Sequence, residues 1–94
     1  MTIGTRSPDA VIDIYLGQEI RRRRRELGMT QHQLADACGV RFQQIQKYES
    51  GANRIAASRL WKIARAMQTP LSSFFEGLPS ERVTSSGHLT FLER

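Results

Sequence analysis

The sequence predicts an all-α fold of five helices in one small domain. Apolar residues recur at helical spacing, most clearly Leu60, Ile63, Ala64 and Met67 at i, i+3, i+4 and i+7. Helix starts are signalled at Ser7-Pro8-Asp9, at Thr30 with Gln33 three residues on, and at Thr69-Pro70. Helix stops are signalled at Gly28, Gly39, Gly51 and Gly77. Ninety-four residues supply one modest core and leave no room for a second, so no sensory or catalytic domain is expected. The domain should occupy residues 8–78, between a disordered N-terminal arm at 1–7 and a flexible, Ser/Thr/Gly-rich tail at 79–94.

The charge balance points to an anionic partner. Lys and Arg number 14 against 9 Asp and Glu, net +5. Between Gly17 and Arg65 the bias sharpens to eleven basic residues against four acidic ones. Nucleic acid is the natural partner for such a concentration. No apolar run reaches the length of a signal-peptide core or a membrane span, and the single cysteine cannot form an internal disulfide. A reducing cytoplasm, without membrane contact, is the expectation. Cys38 sits just before a turn at a buried-looking position, which favours a small core hydrophobe over a reactive thiol. With two distant histidines and no second cysteine, no metal or other cofactor is expected.

The first helix should run from Pro8 to about Leu27, with Ser7 as its cap and Asp9 near the positive end of its dipole. Its inward stripe is Leu16, Ile20, Arg24 and Leu27, extended by Ile12 and Val11. Arg24 on that stripe requires a partner, because an unpaired buried charge is very costly. Glu49, the charged residue on the inward side of the third helix, is the natural one. The run Arg21 to Arg25 points in all directions on a helix and cannot form one contact patch. Arg23, with Arg21 behind it, is the candidate for reaching a phosphate; a merely solvated face is the competing reading.

The second helix begins at Thr30, whose hydroxyl and Gln33 form a capping box. Gln31 lies in the first turn, where amides and the helix dipole favour an anion. Leu34, Ala35 and Cys38 face inward until Gly39 stops the helix. Val40 then packs inward, His32 is an ordinary surface residue, and a third helix follows. At roughly 100° per residue from Ile45, Gln43 and Lys47 lie nearly opposite the core, flanked by Phe42, Gln44 and Gln46. Glutamine can bond adenine in two places, lysine can donate to guanine, and an apolar group can meet a thymine methyl. Phe42 looks exposed, with no core reason to be aromatic.

The stretch Thr30 to Gly51 resembles the helix-turn-helix of the phage repressor and Cro family, often called the XRE family. The shared features are Thr-Gln opening the helix, Leu34-Ala35 in its middle, the turn Gly39-Val40, Ile45, and the ending Tyr48-Glu49-Ser50-Gly51. The likeness extends over about Leu16 to Leu78. It implies a lambda-repressor-like domain with the helix-turn-helix at helices two and three, and an Arg24–Glu49 ion pair. It also implies base-reading roles for Phe42, Gln43 and Lys47, with Arg41 and Gln44 nearer the DNA backbone. Gln31 would hold a phosphate and lean on the third helix.

Beyond Gly51, looped amides beside a basic side chain make a phosphate clamp, naming Asn53 and Arg54 as backbone contacts. Ser58 caps the fourth helix or lies in its first turn. Trp61, off the core stripe, either covers the edge of the core or stacks on a base. Thr69 should cap a fifth helix, whose Leu71, Phe74, Phe75 and Leu78 exceed what one side of a small helix needs. Part closes the core, and the rest is a candidate dimer surface, as the corresponding region is in related repressors.

The expected function is sequence-specific binding of double-stranded DNA by a homodimeric transcriptional regulator, a repressor on a palindromic operator. Activation would need a contact with RNA polymerase. The rivals are an antitoxin that also neutralises a toxin, and a protein-binding adaptor. No paired carboxylates, activated nucleophile or Gly-rich phosphate loop supports an enzyme.

Overall fold

A computed structural model describes residues 7–78 and the paired backbone of 80–83 and 89–92. The arm expected at 1–7 lies outside the described residues apart from Ser7, as does the remainder of the expected tail. Through residue 78 the chain is helical: α1 (Pro8–Glu26), α2 (Gln31–Cys38), α3 (Phe42–Ser50), α4 (Ala57–Ala66) and a short 3-10 helix (Leu71–Phe75). The fold is the expected all-α domain. The fifth element is a 3-10 turn rather than a full α-helix.

Local chemistry explains the boundaries. The Ser7 hydroxyl accepts from the Ala10 amide at 3.1 Å, with Pro8 following as the first helical residue. Thr30 accepts from the Gln33 amide at 3.0 Å while its own amide donates to Gln33 Oε1 at 2.8 Å, closing the capping box. Gly39 and Gly51 both end helices in the left-handed region, at φ 71° and 78°. The end of α4 carries no such glycine. There Gln68 takes the left-handed turn itself, at φ 50°, and the Thr69 amide reaches back to the Ala64 carbonyl at 2.9 Å. Ser58 lies in the first turn of α4, behind a cap at Ala56 that makes no side-chain bond.

Two expectations about helix ends are corrected. Thr69 does not cap the last element; its hydroxyl donates to the Met67 carbonyl at 2.9 Å and accepts from Arg23 Nε at 2.9 Å. Leu27 is not inward. It follows the last residue of α1, where the chain turns out, and is 43% exposed, while Met29 packs against the core. Val11 and Ile12 are likewise exposed.

The core draws on every helix: Leu16 and Ile20 from α1, Leu34, Ala35 and Cys38 from α2, Ile45 and Tyr48 from α3, Leu60, Ile63 and Ala64 from α4, then Met67 and Phe74. Burying such aliphatic side chains contributes roughly 1.5–3 kcal/mol each, the main force holding α3 in place. The 3-10 helix touches both α1 and α4. Tyr15 Oη fastens that corner by accepting from the Gly77 amide at 2.9 Å. Within 79–94, read from the sequence as a tail, Ser80–Val83 and Leu89–Leu92 pair as antiparallel strands β1 and β2, with Ser80 opposite Leu92 and Val83 opposite Leu89.

Candidate nucleic-acid interface

The expected ion pair is the hub that sets α3 on its scaffold. Arg24 Nε donates to Glu49 Oε2 at 2.6 Å and Nη2 to Oε1 at 3.0 Å, while Nη1 donates to the Met29 carbonyl at 2.7 Å. Gln31 Nε2 adds a bond to Glu49 Oε1 at 2.9 Å. Both charged side chains are buried, at 10% and 3% exposure, so each desolvated group has found partners. One network therefore joins α1, the start of α2 and the end of α3. It accounts for the way Gln31 leans on the third helix.

With Ile45, Tyr48 and Glu49 turned inward, α3 leaves Gln43, Gln46 and Lys47 exposed on its outer side. Arg41 is exposed at the helix start and Gln44 is half-buried. Arg41, Gln43, Gln44 and Lys47 line one recess together with Arg59 of α4, which no motif in the sequence marks. Phe42 departs from its expected exposure. Three residues before Ile45 it stands only ~60° from the core direction. It is half-buried against the core, and the His32 ring stacks on it at 3.8 Å.

The loop after α3 is also more engaged than a free phosphate clamp would be. The amides of Ala52 and Asn53 both donate to the Lys47 carbonyl, at 3.0 and 3.3 Å, so they finish α3. What the loop presents outward is side chains, chiefly Arg54, 65% exposed. Its Nε bonds Asp13 Oδ2 at 3.3 Å, and Nη2 lies 3.5 Å from Asp9. Asn53 is half-buried beside it.

The arginine run separates as helical geometry requires. Arg24 goes inward. Arg23, the arginine named for phosphate, is instead bonded to Thr69 and sits 3.3 Å from Glu26, on the side of the 3-10 helix. Arg22 bridges Glu19 at 2.8 Å and Glu26 at 2.7 Å; the Glu19 hydrogen bond, then the two carboxylate charges, push its pKa further up. Arg21 and Arg25 are the two that border the helix-turn-helix. They line a cleft with Thr30, Gln31, Gln46 and Ser50.

Away from this face, Cys38 is buried with its thiol 3.9 Å from the Lys62 carbonyl, and burial pushes the thiol pKa up against the opposing pull of Arg59 and Lys62. Trp61 is 50% exposed, with the Arg65 guanidinium 4.8 Å over its ring, bordering a groove that includes Cys38. Among the candidate dimer residues, Leu71 and Phe75 are each 39% exposed and Leu78 is half-buried. Phe74 is withdrawn from that set: at 2% exposure it closes the core between α1 and α4. Among the described residues no group of three His, Cys, Asp or Glu could hold a metal ion, and no helix is long and apolar enough to cross a membrane.

Comparison with known proteins agrees with this geometry. Residues 20–74 match the HTH_3 helix-turn-helix family. A relative from Sinorhizobium medicae, named an HTH-type transcriptional regulator, is 51% identical over 70 residues, covering 74% of this chain and 50% of the relative. The chain thus spans about half the length of that relative. Among solved structures, the clp gene regulator ClgR of C. glutamicum superposes with a TM-score of 0.68 at 22% identity, over 69% of this chain and 84% of that one. The restriction-modification controller protein C.AhdI of Aeromonas hydrophila gives 0.65 at 24% identity, over 66% and 94%. The match covers the ion pair, α2, the turn and α3 together, and the chain belongs to the HTH_3, XRE-type helix-turn-helix family of transcriptional regulators.

Proposed function

We propose that this chain binds double-stranded DNA sequence-specifically as a homodimer, placing α3 in the major groove of a palindromic operator and repressing transcription by occupying a promoter. The observation that carries the reading is the division of α3 into two faces. Ile45, Tyr48 and Glu49 are locked into the scaffold, while Gln43, Gln46 and Lys47 stand free in a basic surround. Gln43 and Lys47 read base edges, with Phe42 offering an apolar edge. Gln31, Arg41, Gln44, Asn53 and Arg54 serve the phosphates, and Arg21 and Arg25 replace Arg23 there, because they border α2 and α3. The exposed Leu71 and Phe75 form the dimer surface.

Selection of bound fragments from genomic DNA tests the whole reading. Enrichment of an inverted repeat with half-sites about one helical turn, ~34 Å, apart is the expected result. Recovery of no common sequence at physiological salt refutes it. A Leu71→Ser, Phe75→Ser variant should sediment as a monomer and lose binding to the full repeat.

A further inference from the structure

His32 and Phe42 lie on different helices, yet their rings stack with centroids 3.8 Å apart and planes 8° from parallel. Both occupy first turns: His32 is the second residue of α2 and Phe42 the first of α3. The first turn of a recognition helix is the part nearest the base edges when that helix enters the groove. Phe42 is half-buried against the core, and His32 is exposed. A surface phenylalanine without neighbours samples several rotamers; one held between a core and a second ring presents one edge. The base of His32 is fixed as well. The capping box sets the turn from which it projects, and neighbouring Gln31 is tied to Glu49 by its Nε2.

A phenyl ring has no hydrogen-bond donor or acceptor to offer a base. In the major groove it can distinguish an apolar group, and the C5-methyl of thymine is the one available. We infer that His32 is a positioning residue for DNA recognition: its ring holds Phe42 against a thymine methyl, and the pair sets a preference for thymine at one position of each half-site. This rests on the reading of α3 as the major-groove helix.

The test uses the full chain and the operator obtained by fragment selection, with each thymine replaced in turn by deoxyuridine, which lacks only the methyl. The wild-type chain should bind ~4-fold more weakly at one position per half-site, the worth of one buried methyl. In His32→Ala the thymine-to-deoxyuridine ratio at that position should fall to about one, as in Phe42→Ala, with the double variant no worse than either. His32→Phe should restore the ratio, and the melting temperature of His32→Ala should match wild type. The inference is overturned if His32→Ala keeps the wild-type ratio, if no position of the wild-type operator responds to the methyl, or if His32→Ala weakens all duplexes and random DNA alike. Selection that yields no operator removes the major-groove reading itself and this inference with it, an outcome distinguishable from the other three.

Discussion

Gly17 of α1 lies directly against the carbonyls of Tyr48 and Glu49 at the end of α3. A Cβ built on Gly17 would overlap the Tyr48 oxygen and come within 2.8 Å of the Glu49 oxygen. Both obstacles are backbone, so neither can swing aside. The scaffold helix approaches α3 this closely only because residue 17 has no side chain, and the same approach brings Arg24, two turns on, to Glu49.

Gly17→Ala therefore has a diagnostic sign. In an exposed helix interior the change would stabilise by about 1 kcal/mol through propensity. Here overpacking should win, with a net loss of roughly 1–3 kcal/mol in urea denaturation. A stabilised variant would mean the two helices do not meet as described.

Glu49→Ala leaves the Arg24 guanidinium buried without its carboxylate and should cost ~3–5 kcal/mol. Arg22→Ala, which removes an exposed guanidinium bridging Glu19 and Glu26 on the same helix, should scarcely move the melting curve. Thermal denaturation of the two variants side by side checks the contrast. Comparable losses would show that the Arg24–Glu49 pair is not desolvated.

Gln43→Ala and Lys47→Ala should each lower affinity for the selected operator by about 1–3 kcal/mol, with unchanged melting temperature, because both side chains are exposed and bury nothing. Titration against operator and random duplexes separates the roles. Equal loss on both would assign these residues to phosphates.

Arg54→Ala should weaken binding to every duplex and reduce the slope of log affinity against log salt by about one. Asp13→Asn should act in the opposite direction, since the Asp13 carboxylate holds the guanidinium in the free chain at 3.3 Å. An unchanged slope in Arg54→Ala would remove the residue from the phosphate contacts.

Cys38 supplies a pH-dependent term of known sign. Its thiol is raised in the folded chain by burial, so the unfolded chain loses its proton first as pH rises. Its contribution is fully present below the ordinary thiol value, roughly pH 8.5, and declines as pH climbs toward the raised folded value. Cys38→Ala should flatten the alkaline limb of the stability profile. Thiol-specific labelling of the native chain at neutral pH should be slow compared with the unfolded chain.

The sequence by itself determined what depends on local chemistry and period: four α-helices, the capping box at Thr30 and Gln33, and the glycine stops at Gly39 and Gly51. It also named Arg24 and Glu49 as partners, because a charge on an apolar stripe has few places to go. The division of α3 into inner and outer faces followed from angles alone. What only the tertiary structure decided are relations between elements that no single period encodes. The approach of Gly17 to the carbonyls of α3, the reach of Tyr15 to Gly77, and the stack of His32 on Phe42 join residues far apart in the chain or on separate helices. Leu27 turned out and Phe74 turned in because chain direction at a helix end is set by what the following segment packs against. Arg23 and Arg25 carry the same charge on the same helix. Their directions differ by two residues of rotation, and the neighbours each direction meets send one to Thr69 and the other to the helix-turn-helix.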